Sequence, residues 1–134
     1  MSFAMPQPIH DWLVRFGLDE FLHQEVAGVL GTLPHHVRDD FVGDPAFTLV
    51  DYEPGPNRVM HVPVGLPRGR GTQGGASRSV VFKRTLVRRP LPFVRYVIAH
   101  ELAHAHLRNA GRFPGEDPEH AADALAAEWG FPRP

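Results

Sequence analysis

Phe93-Val94-Arg95-Tyr96-Val97-Ile98-Ala99-His100-Glu101-Leu102-Ala103-His104-Ala105-His106-Leu107 is the stretch from which the rest of the chain can be placed. Val94, Val97, Ile98, Leu102, Ala103 and Leu107 supply apolar faces at helical spacing, which predicts a helix over roughly Phe93 to Leu107 packed against a sheet. Pro90 and Pro92 precede it. At 3.6 residues per turn, His100 and His104 lie about 40° apart around the axis and share one face. Glu101 lies about 100° from His100, beside that face, and His106 about 200° from His104, pointing away. Two histidines so placed can reach one Zn²⁺, and the glutamate between them can act on a water at the metal.

Upstream, the pattern from about Ile9 to Leu33 is helical. Trp12, Leu13 and Phe16 recur at helix spacing, followed by Phe21, Leu22, Val26, Val29 and Leu30. Gly17 divides this region in two, Asp19 is placed to cap the second piece, and Gly31 and Pro34 punctuate its end. A short helical turn follows from His35 to Phe41, stopped by Gly43-Asp44-Pro45. Phe47 to Tyr52 and Arg58 to Val64 read as strands joined by the turn-rich Glu53-Pro54-Gly55-Pro56-Asn57, and Ser79 to Phe82 reads as a short third strand. Between them, residues 65–75 form a Gly-rich segment that cannot bury apolar surface and reads as a loop. Its Arg68 and Arg70, with Arg78, imitate a phosphate cradle but lack the lysine and spacing of a P-loop. After the central helix, Asp117-Pro118 opens a last helix, aspartate at the N-cap and proline at N1, running to about Trp129 and ending at Gly130. The expectation is an α+β fold: one domain spanning 1–134, with N-terminal helices, a short, mostly antiparallel three-stranded sheet and two C-terminal helices.

Composition bounds the function. A chain of 134 residues can build a core without disulfide support. With 14 basic and 15 acidic side chains there is no overall drive toward nucleic acid or anionic lipid. The absence of cysteine excludes disulfides, Cys-ligated zinc and thiol catalysis. No apolar stretch approaches the roughly 20 residues needed to span a bilayer. Met1-Ser2-Phe3-Ala4-Met5-Pro6 lacks the basic region and apolar core of a signal peptide, so the expected compartment is the cytoplasm. Nine histidines lower the weight of any single one, but not that of two at this spacing.

A catalytic zinc site takes three protein ligands and leaves a fourth position for water. The last helix offers Glu119-His120-Ala121-Ala122-Asp123, two carboxylates one turn apart on the same face. Glu119 can complete a His₂Glu set, with Glu116, Asp117 and His120 as competing ligands. Asp123 is placed to accept a hydrogen bond from the far nitrogen of a ligand histidine and fix its tautomer. Alanines at 121, 122, 124, 126 and 127 would let this helix approach the first closely.

His100-Glu101-x-x-His104 followed by Glu119-x-x-x-Asp123 resembles the gluzincin pattern of zinc metallopeptidases, in particular the HExxH…ExxxD arrangement of the M48-type peptidases. The tail from Ala122 to Pro132 is also similar to the ImmA/IrrE-type metallopeptidases, in which a small-residue helix follows the third ligand. The resemblance covers Phe93 to Pro132. It implies a zincin-like domain with His100, His104 and Glu119 as zinc ligands, Glu101 as general base and Asp123 supporting a ligand from behind. The chain departs from many M48-type proteins in having no spanning segment, from many SprT-type proteases in lacking a cysteine ribbon, and from many ImmA/IrrE-type proteins in carrying Asp123 where they have asparagine. The resemblance is therefore held at the superfamily.

The expected activity is hydrolysis of a peptide or protein substrate, with Ser79 to Phe82 as the strand that would align it. Stabilising the oxyanion needs a further donor, for which Tyr96, His61, Tyr52 and His120 stand as unranked candidates. The alternative is a catalytically inactive zinc-binding regulatory or interaction module. A further alternative has the N-terminal helix pair shielding the metal as a built-in inhibitory segment.

Overall fold

The computed structural model describes residues 7–52, 78–109 and 118–134. In chain order it has α1 (Gln7–Val14), α2 (Glu20–Thr32), α3 (His35–Val42), β1 (Phe47–Tyr52), β2 (Arg78–Lys83), a 3₁₀ turn (Arg84–Arg88), α4 (Leu91–Asn109) and α5 (Pro118–Glu128). The described chain is mixed helix and strand, mostly helical.

Local chemistry sets most of these boundaries. Gly17 takes φ 61°, a left-handed conformation that ends the first helix. Asp19 then caps α2, its carboxylate accepting from the amides of Phe21 at 3.1 Å and Leu22 at 3.4 Å. The Asp19 amide in turn donates to Asp51 at 2.5 Å, tying the start of α2 to β1. The central helix is longer than the periodicity indicates. It begins at Leu91, so Pro92 falls inside the first turn, where a missing amide costs no intrahelical bond. At the far end, α5 closes in a Schellman turn. Phe131 N–H donates to Ala126 at 2.9 Å and Gly130 N–H to Ala127 at 3.0 Å, with Gly130 at φ 101°.

α4 is the spine of the molecule, packing against α2, α3, β2 and α5. Val94, Ile98, Ala99, Leu102 and Ala103 along it are fully buried, and truncating a leucine in such a position costs about 2–5 kcal/mol. Trp12 stacks on Phe47 with ring centroids 5.7 Å apart, and Phe41 meets Phe47 at 4.8 Å. α1, α3 and β1 therefore share one aromatic knot: Trp12 is a core residue and Phe16 packs against it partly buried, whereas Phe21 is exposed and stands outside the core. Of the alanines on α5, Ala121, Ala122 and Ala126 are buried, whereas Ala124 and Ala127 are exposed and play no part in helix approach.

The sheet corrects the sequence reading. β1 and β2 pair directly and in parallel, Leu49 opposite Val80 and Asp51 opposite Phe82, where a mostly antiparallel three-stranded sheet was expected. Parallel partners need a crossover of about a dozen residues or more, and residues 53–77 provide the length. Direct pairing leaves no place between the two strands for Arg58 to Val64, a segment outside the described residues. Phe47, Leu49, Val80 and Phe82 face the core, as the two-residue period requires. No helix among the described residues is long and apolar enough to cross a membrane.

Candidate metal centre

The 96, 100, 104 row of α4 and the 119, 123 row of α5 meet on one side of the molecule. His100 Nε2 lies 2.8 Å and His104 Nε2 2.7 Å from the same oxygen, Oε2 of Glu119, and the two nitrogens are 3.1 Å apart. His100 is buried, His104 partly so, and the Glu119 side chain is 70% exposed, so the group opens outward. Among the described residues, His100, His104 and Glu119 form the group of side chains that could hold a metal ion.

The hydrogen-bond inventory explains why such a group suits a cation. Nδ1 of His100 donates to Asp123 Oδ1 at 2.7 Å, because an ionised carboxylate only accepts. A neutral ring then presents a lone pair at Nε2, facing a carboxylate oxygen that is also an acceptor. Two acceptors at 2.8 Å repel unless positive charge lies between them. A metal ion held between them provides that charge and can be shared with Nε2 of His104.

Asp123 is itself held from three sides. Tyr96 Oη donates to its Oδ1 at 2.5 Å, and Arg133 Nη2 lies 3.5 Å from its Oδ2. Arg133 Nε also donates to the Tyr96 hydroxyl at 3.1 Å. Burial pushes the Asp123 carboxyl up, but the Tyr96 and His100 hydrogen bonds outweigh it and hold the group below its ordinary value. Tyr96 moves the other way, raised by burial and by its bond to Asp123. The hydrogen bond from His104 leads the lowering of the Glu119 pKa, with His100 adding to it against burial. Both carboxylates are thus kept ionised, as a cation site requires.

Glu101 stands beside this group rather than in it. With His104, Ala105, Glu119 and the β2 residues Ser79 and Val80, it lines a cleft of about 250 Å³. His106 points away, as its angle around the helix predicts, and pairs with Asp40 of α3 at 2.8 Å. His120 is exposed and outside the group, while Glu116, Asp117 and His61 lie outside the described residues. The lining of this cleft holds no residue of α1 or α2, which gives the shielding alternative no support among the described residues.

Two participants escaped the sequence reading. Tyr96 stood there as an oxyanion candidate, yet its hydroxyl is committed to Asp123. Its position four residues before His100 was the available signal. Arg133 had no such signal, because only the Schellman turn after α5 brings the tail back over Tyr96, 5.5 Å from ring centre to guanidinium. No protein-family model, curated protein or solved structure matches the chain, so the site's own geometry carries the argument.

Proposed function

We propose that the protein is a cytoplasmic zinc-dependent metallopeptidase in which His100, His104 and Glu119 hold the metal and Glu101 is the general base. The observation that carries the reading is the convergence of three ligand atoms from two helices at a cleft that Glu101 also borders. Two imidazoles and a carboxylate are a donor set of catalytic zinc. Bonds of about 2.0–2.1 Å in a tetrahedron place neighbouring ligand atoms about 3.3 Å apart. The 2.7 and 2.8 Å separations from Glu119 reach that with a small outward movement of its exposed side chain, and the two imidazole nitrogens, 3.1 Å apart, are already close to it.

When bound, zinc supplies Lewis acidity toward a water and a substrate carbonyl. The chain's own residues do the rest. Glu101 takes the proton of the attacking water and returns it to the departing amine. Asp123 keeps the proton of His100 on Nδ1, so that Nε2 stays available as a ligand, and Tyr96 and Arg133 keep Asp123 in place.

The test is Glu101→Gln. The variant should bind about one zinc per chain and lose cleavage of an unstructured protein that the wild type cuts in a chelator-sensitive way. Turnover equal to wild type would exclude Glu101 as the base. One observation favours a second reading, a zinc-binding module without catalysis. Among the described residues lining the ligand cleft, neither a tyrosine nor a histidine beyond His104 is present as an oxyanion donor. That reading predicts that zinc removal lowers thermal stability while no peptide is cut.

A further inference from the structure

Past Glu101 the groove does not end. A second cleft of about 490 Å³ shares Glu101 with the first and continues along β2 and the 3₁₀ turn. Its lining has two chemistries. Leu86, Phe93 and Val97 make an apolar wall, and Lys83 and Arg89 stand exposed on its border. The Arg89 guanidinium rests over the Phe93 ring, 4.3 Å from its centre, which holds the cation at the border in one place. Among the described residues, neither Lys83 nor Arg89 forms an ion pair, whereas neighbouring Arg84 is committed to Asp51 at 3.3 Å. The chain as a whole has a net charge of −1, so this local excess of cations is a property of the cleft and not of the molecule.

We infer that this second cleft selects the substrate and takes an acidic peptide segment, an apolar residue on the Leu86–Phe93–Val97 wall with acidic side chains against Lys83 and Arg89. The word substrate rests on the peptidase reading; the binding preference does not. Two separated cations suit an acidic stretch better than the single carboxylate of a chain terminus. Glu101, at the opposite end of the cleft, repels an acidic residue from the reacting position and so favours a binding register with the negative charge at the far border.

The experiment uses zinc-loaded Glu101→Gln protein, which binds without turning over, and fluorescent peptides with one apolar residue flanked by Glu, Gln or Lys. Fluorescence anisotropy at low salt should show the Glu peptide binding at least about tenfold tighter than the Lys peptide, with the margin shrinking as salt is raised. Lys83→Glu with Arg89→Glu should reverse the order. These side chains are exposed, and unchanged circular dichroism and zinc content will establish that the double variant is folded. Equal binding of the three peptides, or a preference that survives the double charge reversal, overturns the inference. Loss of the preference on amidating the peptide C-terminus overturns it in favour of a terminal carboxylate. Cleavage by the wild type without charge preference sinks this inference and leaves the peptidase standing. Charge-selective binding with no cleavage by the wild type does the reverse.

Discussion

Asp123 Oδ1 receives two hydrogen bonds, from His100 Nδ1 at 2.7 Å and from the Tyr96 hydroxyl at 2.5 Å. Removing the carboxylate frees the His100 proton to move to Nε2, the atom that faces Glu119. Asp123→Ala should therefore weaken zinc binding about 10- to 100-fold while leaving α5 in place. Competition against a chromogenic chelator reads the affinity, and an unchanged value would show that Asp123 does not position His100. Tyr96→Phe deletes one of the two bonds and should fall between the wild type and Asp123→Ala. Glu101→Gln addresses a different link, since it leaves the ligand set intact and removes the proton acceptor.

At the scale of elements, the contact of α1 with α2 contains His23 Nε2 and His10 Nδ1 at 3.0 Å. Burial, and then the charge of His10, lower the His23 pKa below 6.5, with Glu20 opposing. The unfolded chain therefore binds this proton more readily than the folded one. His23's contribution is complete above about pH 6.5 and is lost as pH falls through the depressed folded value. Urea melts of metal-free protein at about pH 7.5 and about pH 5.5 should show lower stability at the acid end. His23→Gln should flatten part of that slope, and an identical slope in the variant would exclude His23 as a source. The end of α5 makes a second element-scale prediction. Gly130 at φ 101° is strained for any residue with a Cβ, so Gly130→Ala should cost about 1 kcal/mol, seen as a melting temperature lower by a few degrees. No shift would mean that the turn tolerates the side chain and does not fix the path of Arg133.

For the molecule as a whole, the metal group bridges α4 and α5, so binding there adds to folding stability. At a free zinc concentration 100 times Kd the gain is about 2.7 kcal/mol. Chelation should lower the melting temperature and readdition of zinc restore it. A melting temperature indifferent to zinc, in protein shown to bind it, would indicate that the ion holds nothing together. The parallel sheet belongs to this scale too. β2 places Ser79 and Val80 at the ligand end of the groove, and Lys83 at the other end.

Much of this was legible in the chain because it depends on short-range rules. The four-residue spacing of His100 and His104 fixes a shared face wherever the helix is placed. Asp19, Gly17 and Gly130 act on amides and dihedrals within a few residues of themselves. Glu119 and Asp123 were readable as a pair for the same reason, although nothing in their spacing said that their helix would meet the first. Strand pairing follows a different logic. Phe47 to Tyr52 and Ser79 to Phe82 have the same alternation in a parallel or an antiparallel sheet, and the turn-rich Glu53 to Asn57 suggested a hairpin. The pairing is parallel in the fold, with Phe47 in the aromatic knot, Phe82 buried in the core and β2 packed against α4. The return of Arg133 to Tyr96 and the joining of two clefts at Glu101 are long-range contacts of the same kind. Spacing along the chain is enough to name the residues able to bind a metal; their convergence is a matter of tertiary packing, because it depends on how two helices and a sheet exclude water together.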